Sequence, residues 1–409
     1  MNSLIKIKLL LLSTIAVGCA ADSSNYRYIV FGDSLSDSGS KSSSKQLKDN
    51  SKINIDVNGT KHTRLQGNNY WLAGAGLTDD TFKDYWGAPI TSFDYKDKTS
   101  FGKTWLNYFS ESNNQKLINY RAAKDNFAKY LSDQSYDIVF AAASAQSGLR
   151  YTNDLDYNYF YNGATAPFIS CNPQDYGKEV SENIACTPNT TTQVQKFLKI
   201  AKTNNYKDFK KTRVILWVGG NDVNGNILKI LSLGKLNIKK LISQIKAYHP
   251  SLLNNNISLD IKLLKQAGVP AKNIYVVGLP NFKYVPAVRD LISGFSKSIQ
   301  TTVLNVLSIV SLNYNNSMRK ITIEEGTHFF DFSSLFIDLI KNRDKYLSYY
   351  GKYATDDALV SCTATIDNPL ADSEMNFPLC KGFMFYNNIH PTTYSHKIIA
   401  DKFKESLAS

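Results

Sequence analysis

The stretch YIVFGDSLSDSG, residues 28–39, joins a short apolar run to a sharp polar turn. The residues at 28–31 have the length and composition of a buried strand, and Gly32 indicates where that strand ends. Ser34 is therefore predicted to lie on a turn after a strand, with its hydroxyl at the edge of a sheet. The competing interpretation is an ordinary Gly/Ser turn that caps a helix.

Four later runs have the same character and predict strands at residues 137–141, 214–218, 274–277 and 328–332. Helical periodicity occurs at residues 252–266, 296–319, 333–341 and 396–407. Strands that alternate with helices form parallel sheets covered on both faces. We therefore expect a three-layer α/β/α fold with a mainly parallel sheet of about five strands. Sites in such sheets lie at the carboxyl ends of the strands, so the exits at Gly32, Ala143 and Gly219 should share one rim.

Two further polar blocks lie next to predicted elements and carry side chains suited to acyl chemistry. Gly219-Gly220-Asn221-Asp222 comes after the third strand, and the Asn221 amide can donate to a developing oxyanion. His390-Pro391-Thr392 precedes the last helix, and a serine hydroxyl needs such a base to take its proton. Gly-Asn also favours a simple turn. His62, His249, His328 and His396 compete for the role of the base.

The three blocks, in this order and after these elements, resemble the GDSL (SGNH) lipase and esterase family. The resemblance extends loosely over residues 26–404 and implies roles for three side chains. Ser34 would be the nucleophile, Asn221 an oxyanion donor and His390 the general base. Ser144, in the run VFAAASA at residues 139–145, aligns with a glycine that donates its backbone N–H to the oxyanion in the family.

The sequence departs from the family pattern at two of these positions. Asn387 stands three residues before His390, where the family has an aspartate that orients the histidine. Asparagine cannot stabilise imidazolium charge, and the same change in a protease triad costs about 10⁴ in turnover. Either another acceptor serves here, or the enzyme is slow, or Ser34 and His390 act as a dyad. A backbone carbonyl could be the acceptor, as could one of three loop acids, Asp356, Asp357 and Asp367. Ser144 lacks the conformational freedom of glycine but keeps its N–H.

The amino terminus has the pattern of a secretory signal peptide. Lys6 and Lys8 precede an apolar run at residues 9–18 that is too short to span a bilayer, and small residues follow it. We expect residues 1–21 to be removed and the protein to act outside the cytoplasm. The same segment also resembles a bacterial lipoprotein site, in which Cys19 would be lipidated.

The remaining chain, residues 22–409, is expected to form one catalytic domain with two insertions. A hydrophobic content of 43% with 20% charged residues excludes a wholly disordered chain. The insertions, near residues 150–190 and 343–386, each contain two cysteines. Cys171, Cys186, Cys362 and Cys380 allow three pairings, of which Cys171–Cys186 and Cys362–Cys380 close the shortest loops. Neither spacing suits a metal or redox site, and no cofactor is expected. The polar residues at 40–58 predict a flexible loop.

A net charge of +12 favours an anionic partner, and for an exported protein anionic lipid is a better candidate than nucleic acid. Within the family the sequence is most similar to the secreted lysophospholipase A and glycerophospholipid:cholesterol acyltransferase branch. That resemblance implies a phospholipid or lysophospholipid substrate at a membrane surface, with water or a sterol as acyl acceptor. A carbohydrate O-acetyl esterase and a catalytically degenerate exported binding protein are the alternatives.

Overall fold

The fold is organised around a six-stranded parallel sheet. The computed structural model describes residues 26–36, 52–57, 60–65, 104–120, 127–141, 145–148, 151–153, 186–223, 251–361, 382–385 and 389–408. The strands of the sheet are β1 (Arg27–Gly32), β4 (Lys116–Asn119), β5 (Tyr136–Val139), β8 (Thr212–Trp217), β9 (Ile274–Val277) and β10 (His328–Phe330). Their order is β10-β9-β8-β1-β5-β4, and every adjacent pair is parallel. The predicted fold class is confirmed, with β4 as a strand that the sequence did not indicate.

The central strand β1 is buried on both faces because its apolar side chains alternate between two hydrophobic layers. Ile29 and Phe31 pack into one cluster, whereas Tyr28 and Val30 pack into the other. A strand buried on both sides is a near-continuous apolar run, as residues 28–31 are. β1 pairs with β8 from Arg27 opposite Thr212 to Gly32 opposite Trp217.

Helices cover both faces of the sheet. One layer contains α2 (Phe127–Ser132), α3 (Thr190–Thr203), α4 (Ser251–Gln266), α5 (Pro286–Ile292) and α6 (Lys297–Glu325). The other layer contains α1 (Trp105–Ser112), α7 (Phe332–Lys341), α8 (Leu347–Tyr350) and α9 (Thr393–Ala408). None of the helices in the described part of the chain has the length and hydrophobicity needed to cross a membrane.

Two predicted boundaries differ from the observed ones for physical reasons. The strand predicted at residues 328–332 ends at Phe330, because the Asp331 side chain caps α7 by accepting a hydrogen bond from the Ser334 N–H at 3.0 Å. The helix predicted at residues 296–319 continues to Glu325 and stops at Gly326, whose φ of 68° is left-handed.

Two antiparallel hairpins lie outside the main sheet. β2 (Lys52–Val57) pairs with β3 (Thr60–Leu65), so the flexible loop predicted at residues 40–58 is wrong for residues 52–57. β6 (Tyr151–Asn153) pairs with β7 (Cys186–Pro188), which places the two ends of the first predicted insertion side by side.

Several predictions concern residues that the structure does not describe. The signal peptide, Cys19, Cys171, Cys362 and Cys380 lie outside the described residues, and of Cys186 only the backbone is described. Within the second predicted insertion, residues 343–361 and 382–385 are described, and Tyr346 and Tyr350 are buried against the second helix layer.

We expect Gly32→Ala to disrupt the end of β1. A Cβ at this position would lie 2.2 Å from the Trp217 carbonyl oxygen, so the two central strands would have to separate. Overpacking of this kind costs about 3 kcal/mol or more of the free energy of unfolding, measurable by urea titration. Gly294→Ala is the control, because a Cβ there meets no atom within 4 Å. Equal stability of the two variants would contradict this interpretation.

Candidate active site

Ser34 and His390 meet at the carboxyl end of the central strand, although 356 positions separate them in the sequence. The Ser34 Oγ lies 2.8 Å from the His390 Nε2, within hydrogen-bond distance. The turn after β1 presents the serine: the Leu35 N–H donates to the Asp33 Oδ1 at 3.0 Å, and the Ser36 N–H donates to the Asp33 carbonyl at 3.1 Å. Ser34 is 8% exposed and His390 is 2% exposed. The imidazole is therefore placed to accept the hydroxyl proton.

Asn221 follows the neighbouring strand and belongs to the same rim. Gly32 is opposite Trp217 in the ladder, so the turns after β1 and β8 emerge side by side. The Asn221 Nδ2 donates to the Ala145 carbonyl at 2.9 Å, which fixes the orientation of the amide. An amide nitrogen carries two hydrogens, so a second N–H remains for a substrate oxygen.

The segment at residues 145–148, next to the predicted oxyanion donor, is held in place by polar side chains. The Ser147 N–H and hydroxyl both donate to the Asp222 carboxylate, the hydroxyl at 2.6 Å, and Asn256 donates to the Ser147 Oγ at 2.9 Å. The Gln146 N–H donates to the Asn189 Oδ1 at 3.0 Å. Ser144 itself lies outside the described residues. The next three residues, 145–147, are each held by a hydrogen bond to a side chain.

The rim also contains two buried carboxyl groups. Burial raises the pKa of Asp33 to about 7, against the opposing effect of the Leu35 N–H, and the charge of Asp222 raises it further. Burial also raises the pKa of Asp222, although the hydrogen bonds from Ser147 oppose the shift. Burial thus disfavours the charged forms of both carboxyl groups, which limits the negative charge at the rim where the proposed oxyanion would form.

His390 is positioned by the residues on its carboxyl side. The Thr392 N–H donates to the Met384 carbonyl at 2.9 Å, and the Thr392 hydroxyl donates to the Phe383 carbonyl at 2.8 Å. Burial lowers the pKa of His390 to about 3. The imidazole is thus neutral over the physiological range, which is the form that accepts a proton from serine.

The orienting partner predicted for His390 falls mostly outside the described residues. Asn387 and Asp367 are both outside them. Of the two substitute acids that are described, Asp357 forms an ion pair with Arg289 at 2.9 Å, and Asp356 is exposed.

The other described histidines have different surroundings. His396 is buried on α9, and its Nδ1 accepts a hydrogen bond from the Trp105 N–H at 3.2 Å. His328 is exposed on β10, where its ring stacks on Tyr275 with 4.9 Å between centroids. His249 and the side chain of His62 lie outside the described residues.

Two contributions to the site were missed in the sequence. Asp222 stands directly after Asn221. A carboxylate in a Gly-Gly-Asn-Asp turn could have been predicted to accept hydrogen bonds from a neighbouring loop. Gln193, on α3, contacts the backbone of Gly32 through its side chain. No pattern in the sequence indicated a contact between Gln193 and Gly32, which are 161 positions apart. No cluster of three metal-ligating side chains occurs in the part of the chain that the structure describes.

These features define an α/β protein with a buried Ser–His pair at the carboxyl ends of a parallel sheet. No protein-family model matches the sequence, and no curated protein gives a significant match. Solved structures that are similar to this one at low identity include two enzymes of Streptomyces. The phospholipase A1 of Streptomyces albidoflavus has a TM-score of 0.32 and 13% identity, over 77% of this chain and 82% of the enzyme. The extracellular lipase of Streptomyces rimosus has a TM-score of 0.35 and 11% identity, over 92% of this chain and 99% of the enzyme.

We expect His396→Asn to weaken the acid sensitivity of the fold. Burial lowers the pKa of His396 to about 3, and a charge on His390 acts in the same direction. Below its ordinary pKa near 6.5 the unfolded chain binds a proton that the folded chain refuses, so stability falls as the pH falls. Asparagine removes this titration, and its Oδ1 can replace the Nδ1 as acceptor.

Between pH 7 and pH 5 the wild type should lose about 2 kcal/mol more of its free energy of unfolding than His396→Asn. Urea titrations of both proteins at each pH measure the difference, and other titrating groups cancel in the comparison. Parallel pH dependences would show that His396 is not held in its neutral form.

Proposed function

We propose that this protein is a serine ester hydrolase that cleaves acyl esters of phospholipids or lysophospholipids at a membrane surface. The observation that carries the proposal is the 2.8 Å contact between the Ser34 Oγ and the His390 Nε2 at the rim of the sheet. A nucleophile within hydrogen-bond reach of its base is the minimal requirement for covalent acyl transfer.

In the proposed reaction, the Ser34 Oγ attacks the ester carbonyl carbon while its proton moves to the His390 Nε2. The carbonyl oxygen becomes an oxyanion, which the Asn221 amide and the backbone N–H groups of Ser34 and Ser144 stabilise. One such donor lowers the activation barrier by roughly 3–4 kcal/mol. The imidazolium then protonates the departing alkoxide, leaving an acyl-enzyme on Ser34. Water, deprotonated by His390, attacks this ester and releases the fatty acid.

Large apolar side chains are exposed at several places on the described helices, two of them on the part of α6 that lies beyond the rim. The Asn315 side chain on α6 donates to the Leu279 carbonyl, just beyond the end of β9, so residue 315 is level with the rim. The amino-terminal half of α6 therefore extends past the rim, and there Ile309 and Leu312 are 56% and 58% exposed. Leu252, next to the Leu253 that packs over Gly219, is 70% exposed.

A lipid substrate is supported by the net charge of +12, which favours an anionic surface. The amino-terminal pattern supports export, with either cleavage near residue 21 or a lipid anchor on Cys19. In this proposal the acyl group passes to water, or to a sterol where one is present.

We expect Ser34→Ala to abolish ester hydrolysis while leaving the melting temperature nearly unchanged, because only one oxygen atom is removed. Hydrolysis of p-nitrophenyl esters and labelling by a fluorophosphonate probe measure the loss. Ser132→Ala, an exposed serine at the end of α2, is the control and should retain both activities. A Ser34→Ala protein that keeps most of its activity would refute the assignment.

The substrate class is tested with the same pair of proteins. Phospholipid and lysophospholipid vesicles, with and without cholesterol, are digested and the products analysed by mass spectrometry. Release of fatty acid by the wild type but not by Ser34→Ala supports the proposal, and sterol esters would indicate acyl transfer. Cleavage of short esters and acetylated polysaccharide alone would favour the carbohydrate esterase. An unlabelled, inactive wild type would favour a binding protein.

We expect Asn387→Asp to keep or raise kcat. A carboxylate beside the imidazole would raise the low pKa of His390 and stabilise the imidazolium that forms during attack. The pH profile of kcat/KM for the variant and the wild type measures the effect. A large loss of activity would show that another group orients His390 and that Asn387 has a different role.

A further inference from the structure

The end of β1, two residues before Ser34, has a backbone whose polar groups need partners on the side away from β8. β5 covers that side only as far as Val30, which is opposite Val139 and accepts a hydrogen bond from the Phe140 N–H at 2.8 Å. In a parallel ladder every second residue turns its N–H and C=O groups to the same neighbour. The backbone groups of Gly32 therefore face the side where β5 has already ended.

Gln193 occupies this place with its side chain. Its Oε1 accepts a hydrogen bond from the Gly32 N–H at 3.0 Å, and its Nε2 donates to the Gly32 carbonyl at 2.9 Å. The side chain is 1% exposed. A primary amide presents one acceptor and one donor side by side, the same pair that a strand residue offers. The side chain thus continues the ladder for one residue beyond the end of β5.

The helix that carries Gln193 also holds the loop on the other side of the candidate site. At the start of α3 the Thr190 N–H donates to the Gln146 carbonyl and the Thr191 N–H donates to the Gly148 carbonyl, both at 3.0 Å. One turn later, Gln193 holds Gly32. A single helix therefore sets the spacing between the turn that carries Ser34 and the segment that follows Ser144.

We propose that Gln193 is a positioning residue for Ser34, fixing the strand end from which the nucleophile projects. The inference rests on the proposed function and deepens it. Gln193 acts through Gly32 and does not take part in bond making. Its loss lets the turn shift relative to His390 and the oxyanion donors, and a displacement of about 1 Å at a reacting group can cost about 100-fold in rate.

The main test is Gln193→Met, which keeps the length of the side chain and removes both hydrogen bonds. We expect kcat for ester hydrolysis and the rate of fluorophosphonate labelling of Ser34 to fall together by about 100-fold, with KM little changed. A role in stability alone would lower the melting temperature without lowering kcat of the folded protein.

Asn315→Leu is the matched control, because Asn315 makes the same contact at another strand exit. Its Oδ1 accepts from the Leu279 N–H at 2.8 Å and its Nδ2 donates to the Leu279 carbonyl at 3.0 Å. It is also buried, but the segment after β9 carries none of the proposed reacting groups. This variant should lose stability and keep the wild-type kcat and labelling rate.

Gln193→Glu provides a second test should the methionine variant fail to fold. A protonated carboxyl group presents one donor and one acceptor, as the amide does, whereas a carboxylate only accepts and repels the Gly32 carbonyl. The ratio of its kcat to that of the wild type should be near one at acid pH and should fall as the pH rises through the pKa of the new carboxyl.

The outcomes separate the two proposals. A wild type that neither hydrolyses esters nor reacts with the probe would refute the proposed function and, with it, this role. An active wild type with an equally active Gln193→Met would refute the role of Gln193 alone. A pH-independent ratio for Gln193→Glu, or a loss of kcat in Asn315→Leu equal to that in Gln193→Met, would refute it as well.

Discussion

The close approach of two backbones at the end of β1 sets the geometry of everything above the sheet. The Trp217 carbonyl lies where a Cβ of residue 32 would be, and the Asp33 N–H donates to that carbonyl at 3.3 Å. Only glycine allows this contact, because any side chain at residue 32 would separate β1 from β8. The turn with Ser34 and the turn with Asn221 are thereby brought to the same rim. His390 then needs only to reach that point from the segment that precedes α9, a helix of the second layer.

Strand ends in this protein are completed by side-chain amides. Where a neighbouring strand stops early, the backbone groups of the longer strand remain in the core, and leaving them unpaired would cost about 1–3 kcal/mol each. Gln193 satisfies Gly32, and Asn315 satisfies Leu279. A buried amide that replaces a strand residue has fixed geometry, because both of its polar atoms are bound. The strand end from which the turn with Ser34 leaves is consequently fixed by the two hydrogen bonds of Gln193.

The sequence was most informative where local pattern and burial agree. β1 was predicted because residues 28–31 are uniformly apolar and end in a glycine turn, and the rim was predicted because parallel strands end together. The sequence could not reveal α3 as a support, since Gln193 is polar, lies near the end of a predicted insertion, and contacts a residue 161 positions away. β4 was missed because Lys116–Asn119 is a short edge strand with a mixed pattern. The contact between Ser34 and His390 was expected from three motifs in a fixed order. Hydrophobic periodicity alone could not have predicted it, because it indicates helices and strands but not contacts between distant residues.

The low pKa of the buried His390 affects the energetics of the proposed reaction. Burial that lowers the pKa of His390 to about 3 keeps the imidazole neutral and ready, but it also makes the imidazole a weak acceptor for the serine proton. An aspartate would offset this weakness, and the sequence has Asn387 in its place. The proposed reaction would also require donors that face the oxyanion and exact placement of the nucleophile to stabilise the transition state. The dense hydrogen bonding of Asn221, Ser147 and Gly32 meets that requirement, because it fixes the groups that act before any substrate arrives.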